Sequence, residues 1–316
     1  VEIMPFSKAE QPVPIAKPLE AKRAMAVPKT SAKLAFFGVE GQDVYNISQP
    51  FKFKDRLWLA GRVEARGSEI SRIVIFHYEC DHVSIATDHE YPAMQDPFVV
   101  VKDELLYLGG TRIIMDGLGN ITDYYTEILC GTDFDNLKPL IKAPDRMKDV
   151  RILETDKIHL FSRPQGGEAA FGKIGYRSFA KYQEITPKKI AGAVLLKEHF
   201  QDPEWGGANQ IIPLKNGYLG VVGHIAAMAY GNIRHYYGMV FCFDPRTMAS
   251  SPVKIIAERS DFPQGPSKRK DLEDVIFAGG IIRHEDGTAS FYAGLSDCEA
   301  GVIVIDDPFQ ECEEGV

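Results

Sequence analysis

Residues 96–109 read Asp-Pro-Phe-Val-Val-Val-Lys-Asp-Glu-Leu-Leu-Tyr-Leu-Gly, which places two short apolar runs around a polar turn. The runs cover residues 98–101 and 105–108, and each has the length of a short β-strand. Valine and aromatic residues favour strands, and the charged residues between the runs favour a turn. The stretch therefore predicts a β-hairpin that follows directly on Asp96.

This hairpin pattern recurs along the chain. Each copy has a polar amide or acid, an apolar strand, a polar turn and a second apolar strand that ends near Gly, Arg or His. Five copies start 50 to 65 residues apart, at Asn46, Asp96, Asp149, Asn209 and Asp274. Repeats of this length with several strands each are typical of β-propeller blades. We predict an all-β, five-bladed β-propeller over residues 36–316, with two β-sandwich domains as the alternative.

Composition and charge limit the function classes. The 316 residues include 44 acidic and 36 basic side chains, which give a net charge of −8, and 45% of the residues are apolar. These proportions are those of a folded globular protein. Nucleic-acid binding needs a basic face, so no nucleic-acid partner is expected. The basic stretch Lys268-Arg269-Lys270 is followed by acidic residues, and we predict a solvated loop there.

The N-terminal segment and the cysteines add two further expectations. Residues 1–35 are rich in Pro, Lys and Ala and predict an extended arm. We expect no membrane partner and no secretory signal, because no stretch approaches the ~18 apolar residues of a membrane helix. The five cysteines are far apart and form no metal-ligand pattern, so we expect no metal site and ordinary thiols in a reducing compartment. A cytoplasmic location follows as a prediction.

The repeats have a consequence for chemistry. The innermost strand of each propeller blade lines the central channel, so the five polar residues that open the copies are expected to converge on one pocket. Arg62, Arg163 and His224 stand at the ends of second strands and are expected nearby. Carboxylates, amides and cations together suit a sugar, and the cations suit an anion such as phosphate.

Several segments resemble the motifs of a known family, in the same order. Asn46 and Arg62-Val-Glu64 resemble an Asn-Pro … Arg-Val-Glu stretch, and Gln95-Asp-Pro-Phe98 resembles Glu-Asp-Pro-Arg. Lys148-Asp149 and Ser162-Arg-Pro164 resemble a Lys/Arg-Asp element and a His-Arg-Pro element. Phe98 is a departure from this pattern, because the family has Arg at that place.

Three later segments complete the resemblance. Residues 217–224, Gly-Tyr-Leu-Gly-Val-Val-Gly-His, resemble a Gly-Trp-Leu … Tyr-His-Gly strand, and residues 274–280 and 291–297 resemble the two motifs of the final blade. Over residues 36–306 the chain resembles the five-bladed propellers of domain-of-unknown-function family 1861. That family is related to the β-mannoside phosphorylases of glycoside hydrolase family 130, and the chain is most similar to the mannosyltransferase/phosphorylases of glycosyltransferase family 108.

The resemblance implies an inverting β-1,2-mannoside phosphorylase/mannosyltransferase. It implies Asp96 as the general acid/base and Lys148, Arg163 and His224 as phosphate-binding residues. Phosphate, mannose 1-phosphate or GDP-mannose would serve as co-substrate, with no cofactor and with mannosides as partners. The expected substrate-binding residues are Asn46, Arg62, Ser68, Asp149, Asn209, Asp274 and Asp297.

Two other functions stay open at this point. A β-mannoside hydrolase would need a second carboxylate to position water, and it would not need the cations. A non-catalytic propeller that binds glycans or proteins is also compatible with the fold, because fold alone does not determine function. Four aromatic residues are candidates either for sugar-stacking walls or for core packing: Tyr176, Trp205, Tyr236 and Tyr237. The oligomeric state is open.

Overall fold

Antiparallel strands dominate the computed structural model, which describes residues 4–25, 28–79 and 82–314. Within these residues the strands form four sheets. The hairpin expected after Asp96 is present, because residues 94–102 and 105–115 pair as antiparallel neighbours with Lys102 opposite Leu105. The expectation of an all-β protein is thus met for the described residues, in which the α-helices are short.

The N-terminal segment is folded and docked. It contains helix α1 (Ala16–Arg23) and strand β1 (Thr30–Lys33). The Lys22 ammonium contacts Oδ1 of Asp261 at 2.5 Å, and the Arg23 guanidinium contacts Oε2 of Glu258 at 2.6 Å. This differs from the extended arm expected over residues 1–35, because ion pairs with residues more than 230 positions away hold the helix in place.

The first sheet has its strands in the order β2-β7-β6-β5-β3, with β4 also paired to β5. Its strands are β2 (Ala35–Phe37), β3 (Asp43–Tyr45), β4 (Phe51–Phe53), β5 (Arg56–Glu64), β6 (Ser71–Tyr78) and β7 (Val83–Pro92). The second sheet has the order β11-β10-β9-β8. Its strands are β8 (Met94–Lys102), β9 (Leu105–Met115), β10 (Ile121–Gly131) and β11 (Lys138–Lys142).

The third sheet is a four-stranded meander, β12-β13-β14-β15. Its strands are β12 (Arg151–Glu154), β13 (Ile158–Ser162), β14 (Gly175–Phe179) and β15 (Val194–Leu195), with helix α2 (Pro187–Ala191) between the last two.

The fourth sheet has eight strands and includes β1. Its other strands are β16 (Trp205–Pro213), β17 (Leu219–Met228), β18 (Arg234–Phe243), β19 (Lys254–Ala257), β20 (Asp274–Arg283), β21 (Thr288–Leu295) and β22 (Glu299–Asp306). Strands β18 and β20 are joined only by a parallel contact over two residue pairs, His235 with Asp274 and Tyr236 with Val275. β1 pairs with β22, so the N-terminal segment supplies an outer strand next to the last strand of the chain.

The hydrophobic core lies between successive groups of strands. Trp58 and Ile75 of the first sheet share one buried cluster with Leu106 of the second, and Ile128 of the second sheet shares another with Leu160 of the third. The arrangement closes on itself, since side chains of β5 and β6 also pack with side chains of β21 and β22. Burial of these apolar surfaces is the main term that stabilises the fold.

Two cysteines form a bridge that the sequence does not indicate. Cys242 of β18 and Cys312 of helix α3 (Gln310–Glu314) form a disulfide across a separation of 70 residues. The prediction of ordinary thiols is therefore wrong for this pair, because spacing along the chain does not reveal proximity in space. Cys130 and Cys298 are free thiols, and Cys80 lies outside the described residues. Disulfides are rare in reducing compartments, so the cytoplasmic location loses one of its supports and stays a prediction.

The helices in the described part of the chain lack the length and apolar content that crossing a bilayer requires.

Candidate functional site

Most of the predicted site residues line one polar pocket of about 320 Å³. They come from strands of the first, second and fourth sheets and from loops, including those that flank β12 and β13 of the third sheet. The lining residues are Asn46, Arg62, Glu69, Gln95, Asp96, Lys148, Asp149, Arg163, His224, Arg234, Tyr236, Arg269, Leu272, Val275, Phe277 and Asp297. The predicted catalytic residue and the three predicted phosphate-binding residues are thus brought together.

Unusual backbone conformations direct the first polar residue of the first three repeats into the pocket. Asn46, Asp96 and Asp149 have φ of 45°, 53° and 57°, in the left-handed region that Asn and Asp tolerate better than most residues. The strand register shifts at Asp96 and again at Asn209, as in a β-bulge. A bulge leaves its residue out of the ladder and re-aims the side chain, which explains why these polar side chains face the pocket or its wall.

The fifth repeat does not follow the expected pattern. In β20 the register shift falls at Gly279, between Ala278 and Gly280, and not at Asp274. A Cβ atom on Gly279 would lie 2.3 Å from the carbonyl oxygen of Ile47, so close backbone contact allows only glycine there. Asp274 does not line the pocket, and its carboxylate bonds instead to Nδ1 of His235. The polar residue expected to open this repeat is therefore replaced by a glycine.

Asp96 lies at the centre of a set of donors. Its Oδ1 accepts a hydrogen bond from Nδ2 of Asn46 at 2.8 Å and lies 3.3 Å from Nη1 of Arg62, and its Oδ2 lies 3.9 Å from Nζ of Lys148. Burial disfavours the charged form of Asp96, but Arg62, Lys148 and Asn46 outweigh burial and lower the pKa of this carboxyl group. Asp96 is therefore ionised at neutral pH.

Arg62 is held in place by a buried network of charges. Its guanidinium donates to Oε2 of Glu64 at 2.9 Å and to Oε2 of Glu69 at 3.0 Å. Lys268 donates to Oε1 of Glu69 at 2.8 Å and to the carbonyl oxygen of Ser68 at 2.7 Å, and its side chain is only 2% exposed. The prediction of a solvated loop at Lys268 is wrong, because acidic partners about 200 positions away bury its ammonium group.

The side of the pocket that is predicted to bind phosphate carries two nitrogen atoms without partners among the described residues. Nη1 of Arg163 donates to Oδ2 of Asp149 at 2.9 Å, and Nδ1 of His224 lies 2.8 Å from Oδ1 of Asn209. Nε of Arg163 and Nε2 of His224 are buried and have no hydrogen-bond partner among the described residues. Unsatisfied buried polar atoms are costly, and two on neighbouring pocket-lining residues point to a ligand that would satisfy them.

Burial and neighbouring charges also determine the protonation states of His224 and Asp149. Burial lowers the pKa of His224 to about 3, so its imidazole is neutral at pH 7. Burial raises the pKa of Asp149, but the Arg163 and Arg151 guanidinium groups more than offset this and bring it to about 2. Asp149 is thus a fixed anion between two arginines.

Gly207 of β16 makes room for the anion-binding side chains. A Cβ atom there would lie 3.1 Å from Cδ of Arg163, 3.1 Å from Cε1 of His224 and 3.3 Å from Cβ of Asp149. These distances are shorter than ordinary contacts, so a side chain at residue 207 would force the three neighbouring side chains to shift.

Of three further predicted substrate-binding residues, Asp297 lines the pocket, whereas Asn209 and Ser68 do not. Asp297 lines the pocket with φ of 55°, and burial raises the pKa of its carboxyl group to about 6. Asn209 lies behind His224 and orients the imidazole. Ser68 does not line the pocket, because its hydroxyl accepts a hydrogen bond from the backbone nitrogen of Ile70 at 2.9 Å.

Of the four aromatic candidates, one forms part of the pocket wall, one supports it, and two lie in the hydrophobic core. Tyr236 lines the pocket and stacks on His224, with ring centroids 5.7 Å apart. Trp205 supports it by donating from Nε1 to the Tyr236 hydroxyl at 3.1 Å. Tyr176 and Tyr237 belong to a buried hydrophobic cluster.

The sequence prediction missed further pocket residues. These are Glu69, Gln95, Arg234, Arg269, Leu272, Val275 and Phe277. Arg234 stands two residues before Tyr236 on β18, so strand alternation could have placed it on the same face. Arg269 comes from a loop, for which periodicity gives no signal.

Comparison with solved structures gives three informative relatives. The mannose phosphorylase MPT-4 of Leishmania mexicana, solved with a phosphate ion, is 31% identical over 96% of both chains, with a TM-score of 0.88. MPT-1 of the same organism, a GDP-Man-dependent mannosyltransferase, is 26% identical over 96% of this chain and 97% of its own, with a TM-score of 0.86. A β-1,2-mannobiose phosphorylase from Listeria innocua is 16% identical over 85% of this chain and 91% of its own, with a TM-score of 0.61, and shares the fold.

No curated protein sequence matches the chain, whereas a family model does. A family model described as a protein of unknown function, DUF1861, matches residues 20–311. The resemblance stated from the motifs is thereby confirmed, and the chain belongs to the DUF1861 family.

Proposed function

We propose that the protein is a carbohydrate-active enzyme that transfers mannosyl groups between β-mannosides and phosphate. The observation that carries the proposal is a pair of unpartnered nitrogen atoms beside the Asp96 carboxylate, which lies 3.9 Å from Nζ of Lys148. Nε of Arg163 can donate to a phosphate oxygen, and Nε2 of the neutral His224, whose Nδ1 faces the Asn209 oxygen, can accept from the hydroxyl of hydrogen phosphate. A carboxyl group next to an anion site is the minimum that glycosidic cleavage by phosphate needs. The mannose-processing activities of the two Leishmania relatives support the choice of sugar.

We also infer that the strands form a five-bladed β-propeller. The parallel contact in the fourth sheet covers only two residue pairs, so that sheet divides into two four-stranded groups, β16 to β19 and β20 to β22 with β1. Together with the other three sheets this makes five groups in the described residues. The closed sequence of core clusters supports the same count.

In the proposed reaction a phosphate oxygen attacks the anomeric carbon of the terminal mannosyl residue. The bond from that carbon to the bridging oxygen breaks, and a proton from Asp96, passed directly or through a sugar hydroxyl, goes to the departing oxygen. The shortened chain leaves with a hydroxyl group, and attack from the opposite face inverts the configuration. A β-mannoside would therefore give α-mannose 1-phosphate, and the reverse reaction would lengthen the chain.

Phosphate binding would also prepare the acid. Asp96 is ionised before phosphate binds, because Arg62 and Lys148 outweigh burial and lower its pKa. A phosphate dianion that contacts Lys148 would compete for this cation and raise the pKa of Asp96, which favours its protonated form. In the synthetic direction the ionised Asp96 would instead accept the proton of the acceptor hydroxyl.

Two other reactions at the same site have specific support. Asp297 provides a second carboxyl group near Asp96, with a pKa of about 6, that could position water for hydrolysis. GDP-mannose could replace mannose 1-phosphate as donor, as the activity of MPT-1 suggests. The positive charges of Lys148 and Arg163 favour a reaction with an anionic co-substrate, because hydrolysis by water does not require cations in the site.

A three-arm incubation tests the proposal. Purified protein is mixed with β-1,2-mannooligosaccharides without phosphate, with phosphate, or with GDP-mannose, and the sugar products are separated. Mannose 1-phosphate in the second arm alone supports a phosphorylase. Free mannose without phosphate would assign a hydrolase, chain growth only with GDP-mannose would assign a transferase, and no product in any arm would leave the non-catalytic propeller.

A further inference from the structure

Arg151 is a buried arginine at the meeting point of three repeats. Its side chain is 3% exposed and does not line the pocket. Nε donates to the carbonyl oxygen of Asn209 at 3.0 Å, and Nη1 donates to the carbonyl oxygen of Val150 at 3.2 Å. Nη2 lies 3.4 Å from Oδ1 of Asp149, and the guanidinium stacks 4.6 Å from the ring centre of Phe98. A single rigid group thus contacts segments of the second, third and fourth sheets.

Two of these contacts lead directly to the anion-binding side chains. Asp149 contacts Arg151 through Oδ1 and accepts from Nη1 of Arg163 through Oδ2. Asn209 accepts from Arg151 through its backbone and contacts His224 through its side chain. The planar fork of an arginine fixes the relative positions of its partners, which a flexible lysine cannot do.

The third contact leads towards the candidate acid. Phe98 follows Asp96 by two residues, and its ring supports one face of the Arg151 guanidinium. Arg151 therefore sets the distance between the segment that carries the acid and the segments that carry the cations. Misplacement of reacting groups by even a small distance lowers the rate strongly.

Charge gives an independent argument. Asp149 lies between two guanidinium groups, so this buried set of three side chains has an excess of one positive charge. Without Arg151, Asp149 and Arg163 would form a neutral pair, and Arg163 would attract an incoming anion less strongly. Arg151 thus balances the negative charge of Asp149, so that the positive charge of Arg163 attracts an incoming anion more strongly.

We propose that Arg151 is a positioning residue for the anion site, which sets Arg163 through Asp149 and His224 through Asn209. The proposal rests on the proposed function, since it takes inorganic phosphate as the anion. Its role differs from that of a residue that binds the ligand, because all three of its side-chain nitrogens are already engaged within the described protein.

The test compares two variants with a matched control. Arg151→Lys keeps the charge and removes the fork, and Arg151→Met removes both. Arg177→Met is the control, because Arg177 also donates to backbone carbonyl oxygens and lies over an aromatic ring, that of Phe179, away from the pocket. Thermal unfolding first establishes that each variant folds, and calorimetry then measures phosphate binding while a coupled assay gives KM for phosphate and kcat.

We expect Arg151→Met to weaken phosphate binding about tenfold or more, with KM for phosphate rising in parallel, as for loss of a partner in a buried charge set. Arg151→Lys should bind phosphate with an intermediate affinity, and Arg177→Met should match the unaltered protein. The proposal is overturned if folded Arg151→Met or Arg151→Lys binds phosphate within twofold of the unaltered protein, or if the control is weakened equally. Loss of folding in both Arg151 variants would assign the residue to the fold alone and also overturn it.

Failure of the proposed function has a different signature. Phosphate binding without phosphorolysis in the unaltered protein would contradict the proposed function and leave the dependence of binding on Arg151 measurable. Phosphorolysis that is unaffected in both Arg151 variants would contradict this inference alone. A protein that binds no phosphate at all would contradict both.

Discussion

Nζ of Lys148 lies 3.9 Å from Oδ2 of Asp96, so the candidate acid and one of the candidate anion-binding cations form a single ion pair in the pocket. A ligand anion that contacts Lys148 must therefore change the electrostatic environment of Asp96. In the proposed mechanism this relationship couples phosphate binding to proton transfer by Asp96.

Asp96→Asn should remove turnover and retain sugar binding. The amide keeps the shape of the side chain and cannot give up a proton, so we expect kcat/KM to fall by about 10²- to 10⁴-fold, the usual contribution of general acid catalysis. The measurement is the rate of mannose 1-phosphate release, together with calorimetric binding of a mannooligosaccharide.

The matched control for this change is Asp103→Asn. Asp103 lies on the same hairpin, is exposed and has φ of 53°, as does Asp96. It should leave turnover unchanged. Equal activity in Asp96→Asn and Asp103→Asn would refute the catalytic role of Asp96.

Lys148→Met should raise KM for phosphate about tenfold and have a smaller effect on sugar binding. The change removes one cation from the candidate anion site and also removes one of the charges that, after that of Arg62, lower the pKa of Asp96. Initial rates at varied phosphate concentrations measure the effect.

Lys142→Met provides the control for Lys148. The Lys142 ammonium lies over the ring of Tyr125 and pairs with Asp145, much as Lys148 lies over the ring of Tyr124 and pairs with Asp96. Lys142 does not line the pocket. If both variants had the same KM for phosphate as the unaltered protein, Lys148 would not be a phosphate ligand.

Asp297→Asn should change the pH dependence of stability. Burial raises the folded-state pKa of Asp297 to about 6, above its value of about 4 in an unfolded chain. The folded state therefore binds the proton more tightly, and the stability due to this group is present below pH 4 and lost as pH rises through 6. The variant should gain stability relative to the unaltered protein at pH 8 and not at pH 4.

Thermal unfolding at several pH values tests the prediction for Asp297. Asp55→Asn is the control, since Asp55 has φ of 61° in the same region of backbone space and a fully solvated side chain. A stability difference for Asp297→Asn that is the same at pH 4 and pH 8 would show that its pKa is not raised in the folded protein.

Lys268→Met should destabilise the fold by about 3 kcal/mol, because it leaves Arg62 as the nearest cation for two carboxylates, the buried Glu64 and the half-exposed Glu69. The side chains of Lys268 and Glu64 are only 2% and 1% exposed, and their ion pair joins parts of the chain that are 204 residues apart. Chemical denaturation measures the loss. Lys270→Met, two residues along and exposed, should have an effect below about 0.5 kcal/mol, and equal effects in the two variants would contradict the structural role of Lys268.

The sequence alone was sufficient to predict that the candidate catalytic and phosphate-binding residues lie close together. Asp96, Lys148, Arg163 and His224 all line one pocket because repeats of strands bring equivalent positions together. The error at Asp274 has a physical cause: the repeat was aligned on polar residues, whereas the position that matters is a register shift, which Gly279 occupies in the fifth repeat.

The residues that support the site were not predictable in the same way. The partners of Lys268 lie about 200 residues away, and Arg151 connects Asn209 of β16 with Phe98 of β8. No local sequence pattern predicts such contacts, because a buried ion pair forms only where two distant segments of the chain come together in the fold. The disulfide between Cys242 and Cys312 was missed for the same reason.

The most direct test of the central claim follows a β-1,2-mannooligosaccharide and inorganic phosphate by phosphorus NMR after addition of the protein. We expect the phosphate signal to decrease while a signal of α-mannose 1-phosphate grows, and we expect Asp96→Asn to prevent both changes. A phosphate signal that stays constant while the oligosaccharide is degraded would contradict the claim that this pocket uses phosphate as the nucleophile.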